Sequence, residues 1–245
     1  MSEARGTLDV GRVLSETFGL WAKLLGPLLL MSFVVHLPLI GYTVHVAFND
    51  LSQATLELLT LVEVGGGVVL GFLLVGAITY MVVEHIAGRR RSVGVVLAMG
   101  LRSLPGVFWV SLLSGLVVFG GLLLLVVPGV IVACMLWVVV PVAVLEQRGG
   151  LEALRRSREL TKGLLGPVFG VVFVFGFLEW VVNKVLEISL LSDPTPASVQ
   201  AFLLISLGCS LVLSTLSSVA AAVGYVHLRH GTDGVTAGDL ASVFD

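Results

Sequence analysis

Long apolar segments constrain this chain more than any other feature. Six of them recur, each close to the roughly 20 residues that carry a helix across a bilayer: about 24–48, 61–86, 106–127, 127–145, 165–186 and 201–226. With 57% hydrophobic and only 12% charged residues, and a mean hydropathy of +1.06, the composition lies outside the range of soluble domains. Because the segments do not alternate polar and apolar residues, they indicate helices and not a membrane barrel. The sequence predicts an all-α integral membrane protein with six transmembrane helices.

The basic residues lie between these spans and predict the orientation of the chain. All of the 14 Lys and Arg residues except Lys184 fall before span one, between spans two and three, between spans four and five, or after span six. Six spans put both termini on one side of the membrane, and these four locations share that side. The positive-inside rule makes it cytoplasmic. We therefore expect a multi-pass protein with both termini in the cytoplasm.

A repeated arrangement divides the apolar chain into three parts. An interfacial helix is predicted before each pair of spans. Residues 7–23 have mixed three- and four-residue apolar spacing, 92–105 have a less regular apolar stripe, and the charged stretch 145–167 has a thin apolar edge. We expect one membrane domain, 1–245, with parallel units at 7–88, 89–147 and 148–226 and a cytoplasmic tail at 227–245. The clearest internal match pairs residues 24–27 with 164–167, both Leu-Leu-Gly-Pro. Such repeats occur in one class of transporter, and they also result from duplication of a helical hairpin.

The two middle cytoplasmic segments carry most of the basic residues. Each Lys or Arg close to an anionic leaflet contributes about 1 kcal/mol to membrane binding. These cations predict binding of anionic lipid headgroups or of a protein partner, although they also serve to fix the topology. The candidates are Arg89, Arg90, Arg91, Arg155, Arg156, Arg158 and Lys162.

Small residues mark two candidate helix-packing surfaces. Gly67 and Gly71 form a GxxxG pair in the second span, which lets another helix backbone approach closely. In the sixth span small residues recur every four positions, forming a seam of Ser206, Ser210, Ser214, Ser218 and Ala222. The seam is interpreted as packing within the chain, as a contact between copies in a homo-oligomer, or as the polar lining of a path, and the sequence leaves these alternatives open.

Polar groups inside apolar segments are the remaining candidates, because burying them in lipid costs several kcal/mol. Three lie near the cytoplasmic ends of spans, where they reach the headgroups or take part in membrane-embedded chemistry: Glu84, His85 and Glu146. At the outer end of span five a paired polar edge is expected, made of Glu179, Asn183, Lys184 and Glu187.

Signatures of catalysis and of metal binding are missing from the sequence. There is no HExxH, no GxSxG, no phosphate-binding glycine loop and no pair of neighbouring cysteines. His36 and His45 share a span but do not form a metal-ligand pattern, and Cys134 and Cys209 are expected to be small buried hydrophobic residues. We therefore expect no catalytic residues, no metal, no cofactor and no nucleic-acid partner.

One stretch of the sequence carries a family resemblance. A Pro128-Gly129 turn is followed by a span that ends with Pro141 and Glu146, and then by a helix with a spaced set of small and apolar residues: Gly150, Ala153, Leu154, Ser157, Leu160 and Gly163. This order resembles the membrane domain of the bacterial glycerophosphoryl diester phosphodiesterase family, and residues 8–30 and 225–241 are also similar to the ends of that domain. The resemblance implies a six-helix domain of the bacterial inner membrane. Because catalysis in fused members belongs to an added phosphodiesterase domain, that activity is not carried over.

These observations lead to three functional hypotheses. The first is a non-enzymatic inner-membrane scaffold that binds anionic lipid or a membrane protein partner through its basic interfacial helices and self-associates. The second is a transporter or channel for a small solute or lipid, suggested by the parallel units and the serine seam. The third, a membrane-embedded lipid-processing enzyme, depends on Glu84 and His85.

Overall fold

The computed structural model describes residues 8–48, 53–89, 92–192 and 195–234, with side chains of α2 described from Leu70 onward. Within these ranges the chain is helical and has no strand. The helices are α1 (Val10–Phe48), α2 (Gln53–Ile86), α3 (Val93–Leu124), α4 (Val126–Met135), α5 (Val139–Leu145), α6 (Gly150–Thr161), α7 (Leu165–Leu191) and α8 (Pro196–Asp233).

Five stretches of the described chain are long and apolar enough to cross a membrane: Val10–Val46, Val93–Leu124, Val126–Leu145, Leu165–Leu190 and Ala197–Asp233. The shorter stretch Leu70–Ile86 is also apolar. The protein is a multi-pass helical membrane protein.

Two of the three predicted interfacial helices are not separate elements. α1 and α3 each run without a break from the amphipathic segment into the apolar one, so the predicted boundaries near residues 23 and 105 are wrong. Only α6 stands apart from the helix that follows it. The break comes at Gly163, whose φ of 84° lies in the left-handed region that glycine adopts readily. In the first unit the matching position is Lys23, and α1 continues through it because a lysine side chain disfavours that conformation.

The turn between α3 and α4 lies earlier than the Val127-Pro128-Gly129 position predicted from the sequence. It consists of Leu125 alone, extended at φ −165° and ψ 152°, while Pro128 and Gly129 belong to the start of α4. A Cβ built on Gly121 would lie 3.0 Å from the Cα of Gly129. The two helices pack as antiparallel neighbours, as predicted, and they pack this closely because both contact positions are glycine.

The predicted fourth span is a broken helix. α4 ends at Met135 and α5 begins at Val139, with three turn residues between them. Pro141 lies inside α5 and has no N–H to donate to the carbonyl of Trp137, so one helical hydrogen bond is lost at the break. The ring of Trp137 instead packs on α8 at Gly224, where any side chain would overlap it.

α8 is the central helix of the bundle and packs against α1, α2 and α7. It begins with a capping box in which Thr195 and Ser198 exchange hydrogen bonds, and it ends at Gly234 in the left-handed conformation. The core around it includes Tyr225, Leu28 and Ile78, all fully buried. Apolar side chains also cover the outside of the bundle, where lipid replaces water. An example is the row along α7 formed by Phe169, Phe173, Phe177 and Trp180.

Candidate functional site

Polar contacts between distant segments gather at one end of the bundle. His227 of α8 contacts Glu16 of α1 at 2.7 Å between Nε2 and Oε2. Two residues further along α8, Arg229 contacts Glu146 at the end of α5, at 3.6 Å. The start of α1 and the ends of α5 and α8 therefore meet at the same end, together with α6. This end holds the basic residues of the described chain that sequence analysis assigned to the cytoplasmic side.

Glu146 is the centre of a buried charged cluster. It is the residue directly after α5, and its side chain is only 5% exposed. Arg148 approaches Oε2 at 2.9 Å, and Arg156 of α6 approaches the same oxygen at 3.2 Å, both through Nε. The hydroxyl of Tyr225 donates a hydrogen bond to Oε1 at 3.1 Å. A carboxylate taken out of water needs such partners, and here two guanidinium groups and a phenol supply them.

Asp233 provides a second carboxylate on the other side of Arg156. Nη2 of Arg156 donates to Oδ2 of Asp233, and Nε of Arg229 lies 3.6 Å from the same oxygen. Nη1 of Arg229 also donates to the hydroxyl of Tyr225 at 2.6 Å. We call these six residues the Glu146 network: Glu146, Arg148, Arg156, Tyr225, Arg229 and Asp233. The network ties α6 to the end of α5 and to the last turns of α8.

Arg156 remains charged within this network. Burial lowers the pKa of its guanidinium, but the Glu146 and Asp233 carboxylates outweigh that effect and raise the pKa above its ordinary value. Because arginine holds its proton at all physiological pH values, the contact between α6 and α8 does not depend on titration of this residue. Arg156 therefore supplies a permanent positive charge to the Glu146 network.

α6 presents two chemically different faces. On the inner face Ala153 and Leu160 are buried, and Ser157 Oγ donates to the carbonyl of Met135 at 2.8 Å, with Thr161 Oγ1 at 3.3 Å from the same oxygen. Met135 is the last residue of α4, so these hydroxyls satisfy a carbonyl at the break between α4 and α5. On the outer face of α6 and just after it the basic side chains are exposed: Arg155, Arg158 and Lys162.

The predicted basic residues are thus divided into different environments. Arg156 turns inward to the Glu146 network, while Arg155, Arg158 and Lys162 face outward. Arg89 is half-buried and lines a cavity of about 320 Å³. Arg90 and Arg91 lie outside the described residues.

The same cavity brings together two of the polar candidates. It lies between α1, α2 and α3, and its lining consists of Lys23, Leu24, Pro27, Met81, Glu84, His85, Arg89 and Val96. Glu84 is 1% exposed, whereas His85 is half-buried. The cavity wall therefore combines a buried carboxylate and an imidazole with two cationic side chains, Lys23 and Arg89.

The glycine and serine candidates occupy mixed surroundings. A Cβ on Gly71 would meet no atom within 4 Å, and the environment of Gly67 lies outside the described side chains. Close helix approach occurs instead at Gly100, where a Cβ would lie 2.9 Å from that of Ala77. Along the seam, Ser218 and Ala222 are buried, Ser206 and Ser214 are half-buried, and Ser210 is exposed.

The seam hydroxyls bond mainly to their own helix. Ser206, Ser214 and Ser218 donate to the carbonyls of Leu203, Leu211 and Ser214, respectively. Such bonds satisfy a hydroxyl in an apolar setting without a partner from another helix. The buried end of the seam, at Ser218 and Ala222, packs within the chain, whereas Ser210 is exposed on the outside of the bundle.

At the other end of the bundle the predicted polar edge is present in part. Lys184 Nζ lies 2.6 Å from Glu187 Oε2, and both side chains are about half exposed. Asn183 donates to the backbone carbonyl of Glu179 at 2.9 Å. In the first span, His36 Nδ1 lies 2.9 Å from the carbonyl of Ser32. Among the described residues no group of three or more His, Cys, Asp and Glu side chains is placed to hold a metal ion.

Sequence reasoning missed the half of the network that α8 supplies. Tyr225, Arg229 and Asp233 follow one another at intervals of four, so they share one helix face, and this spacing was visible in the sequence. His227 and Glu16 were also missed, because nothing in either segment indicates that residues so distant in sequence meet.

Comparison with protein-family models, with curated proteins and with solved structures finds no match for this chain. The resemblance to the phosphodiesterase membrane-domain family therefore rests on the residues given above and stays a prediction.

Proposed function

We propose that this protein is a non-enzymatic scaffold of the bacterial inner membrane that binds anionic lipid headgroups through the outer face of α6. In this proposal six spans, arranged as three parallel units, put both termini and the Glu146 network on the cytoplasmic side. The positive-inside rule supports this orientation, because the basic residues gather at that end.

The observation that carries the proposal is the arrangement of charge on α6. The inner cation, Arg156, is neutralised by Glu146 and Asp233, whereas Arg155 and Arg158 are exposed. α6 is held by hydrogen bonds to Met135 as well as by the network, so it presents those two guanidinium groups on a fixed support. Guanidinium groups match phosphate oxygens in geometry and charge, and a fixed support reduces the conformational entropy lost on binding.

The proposal is tested by measuring how anionic lipid binds to variants of α6. Purified, delipidated protein would be titrated with phosphatidylglycerol or phosphatidylcholine and the bound lipid counted by native mass spectrometry. Each cation near an anionic surface contributes about 1 kcal/mol, so R155Q/R158Q is expected to bind the surface phosphatidylglycerol roughly 30-fold more weakly. Phosphatidylcholine binding should be unchanged.

Lys184 supplies the matched control. It is an exposed cation at the opposite end of α7 and is paired with Glu187. K184Q is expected to bind phosphatidylglycerol like the wild type. If R155Q/R158Q also did so while keeping the wild-type melting temperature, the proposed role of α6 would be wrong.

A further inference from the structure

A second and larger cavity opens between α1 and α8 at the same end of the bundle. Its volume is about 640 Å³, within the range of small-molecule sites. One part of the wall is apolar and is formed by Gly19, Leu20, Ile86, Val223 and Val226. The other part is polar and is formed by Arg12, Ser15, Glu16, Lys23, His227 and His230. The cavity is therefore amphipathic, with basic groups beside an apolar wall.

The charged residues that line this cavity favour an anionic ligand. The one acidic lining residue, Glu16, accepts from Arg12 Nε at 2.9 Å and contacts His227 at 2.7 Å, so its carboxylate is already neutralised. Lys23, in contrast, is exposed and has no hydrogen bond or ion pair with any residue in the described parts of the chain. An exposed ammonium group with no ion-pair partner among the described residues, next to an apolar wall, favours a ligand that carries both a negative charge and a hydrocarbon part.

We propose that this cleft binds one anionic phospholipid, with its phosphate at Lys23 and its hydrocarbon along Leu20, Ile86 and Val223. The proposal rests on the lipid-binding function proposed above but concerns a different site and a different mode. The outer face of α6 attracts headgroups from a surface, whereas the cleft encloses part of one molecule between two helices. A lipid in it bridges α1 and α8 beside the Glu16–His227 contact. It also reaches Ile86 at the end of α2.

Gly19 allows a test in which a side chain occupies part of the cleft. It lines the cleft, and a Cβ built on it would meet no atom within 4 Å, so Gly19→Leu has room to begin its side chain there, and its melting temperature would be compared with that of the wild type. Gly26 lies further along α1, does not line the cleft, and has equally open surroundings, so Gly26→Leu is the matched control. Lys23→Gln removes the charge alone. All three would be compared with the wild type by native mass spectrometry in titrations with phosphatidylglycerol, phosphatidylcholine and glycerol phosphate.

The wild type is expected to retain a single phosphatidylglycerol molecule in addition to the weaker surface lipids. This tightly held molecule should be lost in Gly19→Leu, kept in Gly26→Leu and bound about fivefold more weakly in Lys23→Gln, since one cation is removed. Equal retention in Gly19→Leu and Gly26→Leu would overturn the proposal. So would equally tight binding of phosphatidylcholine, or displacement by glycerol phosphate at the same concentration as the lipid, because either result removes the need for charge or for hydrocarbon.

The two lipid proposals fail in different ways. If α6 is not a headgroup site, R155Q/R158Q loses no surface lipid, but the single tightly held molecule still disappears in Gly19→Leu. If the cleft is not a lipid site, the surface lipids remain sensitive to R155Q/R158Q and no variant of Gly19 or Lys23 changes the number of tightly held molecules.

Discussion

Replacement of Glu146 by alanine tests how strongly α6 is held to the bundle. The Glu146 side chain is 5% exposed, and the side chains of Arg156 and Arg229 are 13% and 18% exposed. In Glu146→Ala both guanidinium groups stay in a largely buried site with less negative charge around them. Removal of one partner from a buried ion pair costs about 3–5 kcal/mol, chiefly because the remaining charge is left without compensation.

The structure places the expected loss at the lower end of that range. Asp233 remains in contact with both Arg156 and Arg229 and still compensates part of their charge. Arg148 is 46% exposed, so it turns to solvent at little cost. We therefore expect the free energy of unfolding to fall by about 3 kcal/mol, which for a chain of this size lowers the melting temperature by roughly 6–12 °C.

A thiol-reactive fluorogenic dye measures this effect in detergent when all variants carry Cys209→Ala. Cys209 is partly exposed in the folded protein, whereas Cys134 is buried and becomes reactive when the bundle opens. Glu159→Ala is the control. Its carboxylate also faces Arg156, but at 3.8 Å and with 57% of the side chain exposed, so its removal should cost less than about 1 kcal/mol. If Glu146→Ala and Glu159→Ala melted at the same temperature, the Glu146 network would not stabilise the fold.

Two further substitutions test the packing around the break between α4 and α5. Gly224→Ala places a Cβ against the ring of Trp137 and is expected to destabilise the protein by about 1–3 kcal/mol. Gly208→Ala, on the same helix in open surroundings, should leave the melting temperature unchanged or raise it. A lower melting temperature for Gly208→Ala than for Gly224→Ala would contradict the contact between Gly224 and Trp137. Ser157→Ala leaves the carbonyl of Met135 with a weaker set of donors and should cost about 1 kcal/mol. It should also speed limited trypsin cleavage within α6, and an unchanged rate would argue against the hydrogen bond as an anchor.

The membrane explains why the class of fold was predictable from the sequence. Lipid offers no hydrogen bonds to the backbone, so long apolar segments must be helical, and their lengths follow from the thickness of the bilayer. Helix boundaries followed weaker signals. The helix break after α6 depends on Gly163, and the first unit has Lys23 at the matching position, so α1 has no break there. A repeat in apolar residues therefore did not imply a repeat in backbone conformation.

The candidate site was predictable only in its parts. Glu146 and Arg156 were both identified, one as a polar group at the end of a span and the other as a lipid-binding cation, but their pairing was not foreseen. Ten residues separate them, and the break in the chain between α5 and α6 decides whether they meet. The charge of each residue can be read from the sequence, but the direction in which α6 leaves the turn after α5 determines which residue becomes its ion-pair partner.

The orientation of α6 also decides which of its arginines pair with carboxylates and which are exposed. If α6 lay freely on the membrane surface, its arginines would all be available to lipid, and their effects would be nearly equivalent. Because Ser157 and Arg156 hold the inner face, rotation of α6 about its axis would break the Met135 contact and bury Arg155 or Arg158 without a carboxylate. Burying an unpaired guanidinium costs more than a headgroup contact at the surface provides, so the helix stays in one orientation. The Glu146 network thus determines which cations of α6 are exposed, and in the proposed function these exposed cations bind the lipid headgroups.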